Sequence, residues 1–96
     1  MKQEKIREQI YKQLPLIKSK YNVKKIGVFG SFVRGEQKKG SDVDILVEFK
    51  SPIGFFEFIR LENFLSHTLH KKVDLVSKKS IKPAVKKEIM REVQYV

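Results

Sequence analysis

The tightest constraint on the fold is an apolar strand that carries carboxylates at alternate positions. Along Ser41-Asp42-Val43-Asp44-Ile45-Leu46-Val47 the side chains alternate with the period of two expected of a strand buried on one face. Val43, Ile45 and Val47 share one face, and Asp42, Asp44, Leu46 and Glu48 share the other. Upstream lies Gly30-Ser31-Phe32-Val33-Arg34-Gly35, a Gly-Ser turn that ends the apolar run Ile26-Gly27-Val28-Phe29. Carboxylates at i and i+2 of a strand stand about 7 Å apart at their Cα atoms, close enough to lean toward a shared cation. A Gly-Ser turn brings free backbone N–H groups close to an anion. Together the two stretches have the layout of a metal and phosphate site.

The rest of the chain reads as support for these two stretches. Ile6, Ile10, Leu14 and Ile17 give a helical stripe over residues 3–20, which Pro15 should kink or divide near Leu14. Tyr21-Asn22 is its stop, since Asn tolerates left-handed backbone. Residues 24–29 read as a first strand. Residues 31–35 read as a helical turn with Ser31 as N-cap and Gly35 as exit. Residues 36–40 form a polar loop, expected to be the most mobile segment. Residues 42–49 are the second strand, and Ser51-Pro52-Ile53-Gly54 is a turn. Residues 55–69 form an apolar helix whose stripe is Phe58, Leu61, Leu65 and Leu69, broadened by Phe55 and Ile59. Phe56 and Phe64 fall off the stripe, as part of a wide core face or as an exposed aromatic patch for a partner protein. Residues 72–77 are a third strand. Residues 83–93 are a last helix started by Pro83, with Val85, Ile89 and Val93 every fourth residue; Gln94-Tyr95-Val96 is too short to assign.

A chain of 96 residues suits one domain with a modest core. There is no Cys, hence no disulfide or thiolate metal site, and no apolar run of membrane-spanning length. With no signal-peptide core near Met1, a cytoplasmic protein without membrane association is the expectation. The net charge of +10 favours anionic partners such as a nucleotide, a nucleic acid or an acidic protein. The lysines are dispersed, however, and aromatic side chains do not interleave with them as in a single-strand binding platform. His67 and His70 are three residues apart but have no evident third metal ligand, so they read as helix-end surface residues.

Transfer of a nucleotidyl group needs the features gathered here. A pair of Mg²⁺ ions can clamp the attacking and leaving oxygens of an in-line displacement, and Mg²⁺ prefers carboxylate oxygens and water. Asp42 and Asp44 offer two such ligands. Asp74, in Val73-Asp74-Leu75-Val76, has the same parity relative to its apolar neighbours and is the candidate third. Three like charges on one face would repel one another without a cation. Gly30 and Ser31 are candidates for the phosphate oxygens. Arg34 can reach a phosphate or pin its loop to Asp42 or Glu36.

Gly30-Ser31-x-x-Arg34-Gly35, Ser41-Asp42-x-Asp44-x-x-Val47 and Val73-Asp74-Leu75-Val76 together resemble the minimal nucleotidyltransferases of the DNA polymerase beta superfamily. The similarity runs from about Val23 to the C-terminus and takes in the basic helix Lys86–Glu92 and the closing Tyr95-Val96. The resemblance implies an α+β, two-layer fold, a small mixed sheet of three to four strands flanked by helices, as a single domain over residues 1–96. It implies Mg²⁺, with two ions, and ATP as donor. Carried over by position, Gly30, Ser31 and Arg34 bind nucleotide, while Asp42, Asp44 and Asp74 are metal-binding and catalytic, with Arg34 partly structural. Stand-alone members resemble the antitoxin half of a toxin–antitoxin pair whose partner is a helical HEPN-domain toxin. The implied activity is transfer of AMP from ATP to a tyrosine of that toxin. The alternative is a non-catalytic antitoxin of the same fold that neutralises its partner by contact alone. An aminoglycoside-modifying transferase fits less well, since that substrate is cationic and the chain is basic. No second domain is present for a nucleic-acid acceptor, so direct nucleic-acid binding is not expected.

Overall fold

The computed structural model describes residues 2–96. The elements follow the order α1 (Gln3–Lys12), α2 (Leu14–Lys20), β1 (Val23–Phe29), α3 (Ser31–Arg34), β2 (Val43–Phe49), α4 (Phe55–Leu69), β3 (Val73–Ser77), α5 (Pro83–Glu92) and β4 (Gln94–Tyr95), with a 3₁₀ turn at Lys78–Ser80 before α5. One four-stranded sheet has the order β3-β2-β1-β4. β1 pairs antiparallel with β2 and with β4, and β2 pairs parallel with β3. The fold is therefore α+β with a mixed sheet, as the sequence leads one to expect. Among the described residues no helix is long and apolar enough to cross a membrane.

The core lies on one side of the sheet. Val43, Ile45 and Val47 of β2, Ile26 and Val28 of β1 and Val73 and Leu75 of β3 meet Ile6 and Ile10 of α1, Ile17 of α2, Phe32 of α3 and Leu61, Leu65 and Leu69 of α4. Nearly all of these side chains are fully buried, each worth about 1.5–3 kcal/mol of transfer free energy. Leu46 and Ile89 are also buried, but they lie outside that cluster. On β2, Leu46 shares the parity of Asp44, so the sheet's second face is only partly apolar.

Pro15 divides rather than kinks the first helical stretch, with Gln13 between α1 and α2 and Pro15 in the first turn of α2. A proline there gives up an N–H that has no helical partner in any case. Asn22 takes the left-handed φ of 57°, and its Nδ2 donates to the Ser51 hydroxyl at 2.6 Å. That contact joins the start of β1 to the turn after β2.

Several expectations are corrected. Ser31 is the first helical residue of α3 and not its N-cap; Gly30 is the cap, at φ 81° and ψ −152°, with no side-chain cap bond. A positive φ of this kind suits glycine and disfavours serine. Asp42 stands just before β2, which begins at Val43. On α4, Phe55 does not broaden the buried stripe, being 72% exposed. Phe64 packs on the core, its ring 5.8 Å from that of Tyr21, so the exposed aromatic pair is Phe55–Phe56 and not Phe56–Phe64. Helix periodicity could not find this, because it does not show where along the helix the packing against the sheet stops, and Phe55 and Phe56 of the first turn are both exposed. Val85 is half-exposed although Ile89 on the same stripe is buried. The unassigned tail contains β4, whose pairing is purely non-local.

Candidate active site

The strand register brings two of the three predicted carboxylates side by side. Asp44 of β2 is the register partner of Asp74 of β3, and Phe29 of β1 is the partner of Asp44. The parallel pairing of β2 with β3 gives Asp44 and Asp74 the same face, as their parity relative to the buried Val43, Ile45, Val73 and Leu75 requires. β3 is an edge strand, and α4 closes its outer edge around Asp74. The Val73 N–H donates to the Ser66 hydroxyl at 3.1 Å and the Leu75 N–H to Glu62 Oε2 at 3.0 Å. Those bonds fix the backbone on both sides of Asp74 and blunt an otherwise open edge. Ser66 and Glu62 carry no sequence signal beyond the four-residue spacing that places them on one helix face.

Gly30 meets Asp44 from the other side. A methyl group at Gly30 would run into the Asp44 carboxylate, so the turn can pass this close to Asp44 only without a side chain. Arg34, one helical turn on, donates through Nε to Glu36 at 2.8 Å and through Nη1 to Glu92 at 3.0 and 3.2 Å. The Glu36 contact matches one expected alternative and the Asp42 contact does not form. Asp42 faces Lys72 instead, at 3.9 Å. Glu92 was not a sequence candidate; it lies 58 residues from Arg34, and only the folding of α5 over the sheet brings it here. Its Oε2 also accepts the Gly30 N–H at 2.6 Å.

These groups line a cleft of about 430 Å³ formed by Phe29, Gly30, Arg34, Asp44, Asp74, Val76 and the α5 side of the chain, including Lys82, Glu88, Ile89 and Glu92. Ser31 and Asp42 do not line it. A larger hollow of about 630 Å³ lies at the opposite end of β2 and β3, against Phe49, Phe55 and Phe58. Among the described residues its charged lining groups are Glu48, Lys78 and Lys79, two of them paired with each other, Lys78 to Glu48 at 3.8 Å. The smaller cleft has the chemistry.

Electrostatics mark Asp44 as its centre. Burial first, then the charges of Asp74 and Asp42, push the Asp44 carboxyl above its usual range; Arg34 opposes this and Glu92 adds to it. The Glu36 hydrogen bond is the main reason that Arg34 is held above its ordinary value, with the Glu92 and Glu36 charges adding to it against partial desolvation. Among the described residues no three His, Cys, Asp or Glu side chains converge into a ready-made metal cage. The donor set nevertheless fits Mg²⁺. The acids are hard oxygen ligands, and Mg²⁺ keeps several waters and substrate phosphates rather than requiring an all-protein cage. A cation beside Asp44 would relieve the repulsion that raises its carboxyl. His67 and His70 are exposed at the end of α4, their rings 6.3 Å apart, and neither lines the cleft.

The chain is similar in sequence and in fold to known proteins. A family model described as a nucleotidyltransferase domain matches residues 10–96. The protein adenylyltransferase MntA of Thermococcus cleftensis is 49% identical over 80 residues, which span 83% of this chain and 81% of that protein. MJ1217 of Methanocaldococcus jannaschii, named as a candidate protein adenylyltransferase, is 47% identical over 92 residues, spanning 95% of this chain and 94% of MJ1217. A solved structure described as a candidate minimal nucleotidyltransferase superposes with a TM-score of 0.82 at 31% identity, covering 98% of this chain and 95% of its own. A solved complex of a tri-AMPylated Shewanella oneidensis HEPN toxin with its MNT antitoxin matches with a TM-score of 0.71 at 22% identity, covering 97% of this chain and 70% of the matched one. At that identity the last match speaks for the fold alone.

Proposed function

Because this chain belongs to the nucleotidyltransferase domain family and is a nucleotidyltransferase, we propose that it moves AMP from ATP to a hydroxyl of a partner protein. The proposed partner is a HEPN-domain toxin, the acceptor a tyrosine, and the outcome silencing of that toxin, with residues 1–96 acting as one catalytic domain. The observation that carries the reading is the in-register pair Asp44–Asp74 facing a Gly-Ser turn that only a glycine can bring so close. Further support comes from relatives named as protein adenylyltransferases; the shared fold makes the HEPN toxin of a solved toxin–antitoxin complex the pattern for the proposed partner.

Each residue has a proposed role. Gly30, Ser31 and Arg34 receive the β and γ phosphates. Asp44 and Asp74, which line the cleft, would hold Mg²⁺, and Asp42, outside that lining and beside Lys72, would join them from the residue before β2, two ions in the full reading. When bound, that metal supplies neutralisation of the triphosphate and of the charge that builds up in an in-line displacement. The acceptor oxygen forms a bond to the α-phosphorus, the bond to the bridging oxygen of the β-phosphate breaks, and pyrophosphate leaves. Asp74, on the outer strand, orients the acceptor hydroxyl and takes up its proton. Phe29 and Val76, which flank the carboxylates in the cleft, limit water around the reacting groups and so strengthen the local charges.

The test is the intact mass of a HEPN partner after incubation with MgATP and either the wild-type chain or Asp44→Asn. The partner should gain one or more AMP groups with the wild type and none with the variant. A partner left unmodified by the wild type yet still neutralised would overturn the transferase reading in favour of inhibition by contact.

A further inference from the structure

Glu92 occupies a position where an anion is received. One of its carboxylate oxygens accepts both the Gly30 N–H, at 2.6 Å, and Arg34 Nη1, at 3.0 Å; the other accepts the same Nη1 at 3.2 Å. Apart from Lys82 in the same lining, little else favours a negative charge there. Glu92 is the last residue of α5, where the helix carbonyls repel anions, and it shares its cleft with Asp44, Asp74 and Glu88. The turn and Arg34 thus form a receptor for an oxyanion, and in the free protein the chain's own carboxylate fills it.

The Gly30 N–H has one hydrogen. It cannot make a short, straight bond to Glu92 and to a phosphate oxygen at the same time. Resting on the reading of this cleft as the ATP site, we propose that Glu92 is a placeholder for the triphosphate. In the nucleotide-free protein it keeps the Gly30 N–H and the Arg34 guanidinium aimed into the cleft, and it yields both to a phosphate oxygen when nucleotide binds. Glu92 is then a positioning residue, acting through Gly30 and Arg34. The exchange asks only for a side-chain rotation. The backbone beyond Glu92 stays tied down by the Val93 N–H to the Ile89 carbonyl and by the Val96 N–H to the Ile26 carbonyl, both at 2.9 Å.

The test is calorimetric titration of MgATP into the wild type, Glu92→Gln and Glu92→Ala, with thermal unfolding of each protein free and loaded. Glu92→Ala should bind MgATP on the order of threefold to tenfold more tightly than the wild type, the worth of one removed like-charge contact in a half-open cleft. Glu92→Gln retains an acceptor for the Gly30 N–H and loses the charge, so it should fall between the two. Without nucleotide both variants should melt below the wild type, and with saturating MgATP they should melt with it. Equal or weaker MgATP binding by both variants would overturn the placeholder, as would a lowered melting temperature that nucleotide does not restore, the mark of a merely structural contact. A wild type that binds no MgATP would overturn the reading of the cleft itself and the placeholder with it.

Discussion

Asp44 carries a cost that its neighbours impose. Its carboxyl is raised by burial and by the charges of Asp74 and Asp42, so the folded protein holds a proton there more tightly than the unfolded chain does. The stability linked to Asp44 is therefore full below the ordinary carboxylate range and is lost as pH rises through the raised value. In Mg²⁺-free buffer, Asp44→Asn should be more stable than the wild type at neutral pH. The difference should shrink as pH falls through that window, which urea unfolding across pH measures directly. Added Mg²⁺ should raise the melting temperature of the wild type and leave that of Asp44→Asn nearly unmoved. Asp74→Asn should keep its affinity for MgATP and lose transfer, since Asp74 is assigned to the acceptor side; loss of binding would reassign it to the nucleotide. Gly30→Ala combines a φ of 81° with a collision against Asp44. It should lower stability by about 1–3 kcal/mol and abolish nucleotide binding.

Among the elements, the local ones were legible in the sequence and the long-range ones were not. α4 emerged with its bounds because its leucines repeat at helical spacing and the turn Ser51-Pro52-Ile53-Gly54 precedes it. β2 emerged because apolar and acidic residues alternate along it. Ser31 was misplaced by one position, since a serine and a glycine at a strand end both suit a cap and only the backbone angle separates them. Ser66 and Glu62, which hold the edge of β3, and Glu92, which holds the turn, are ordinary polar residues on helices. Their roles depend on which strand and which loop those helices meet. β4 is the extreme case, two residues with no local preference that pair with β1 opposite Gly27. A Cβ at Gly27 would lie 2.8 Å from Val93 Cγ2 and 2.9 Å from the Gln94 carbonyl. Gly27→Ala should therefore loosen β4 and the end of α5. Hydrogen exchange should show the Val96 amide losing protection while the amides of α4 keep theirs.

On the scale of the whole molecule, charge is divided between surface and cleft. The chain carries a net +10, yet the cleft gathers Asp44, Asp74, Glu88 and Glu92 against Arg34 and Lys82. A basic exterior draws anionic partners and nucleotides toward the protein, and an acidic cleft is suited to a nucleotide that arrives with its cation. Net charge alone pointed to anionic partners without saying where the acids collect, because the sheet order β3-β2-β1-β4 is what folds them together. Transfer of AMP in this cleft is measured with ATP labelled at the α-phosphate or at the γ-phosphate. Each is incubated with Mg²⁺, a HEPN-domain partner and either the wild type or Asp44→Asn. Label should pass to the partner from the α position only, and only with the wild-type protein. Transfer of the γ label, or α-label transfer that survives Asp44→Asn, would rule out AMP transfer centred on Asp44.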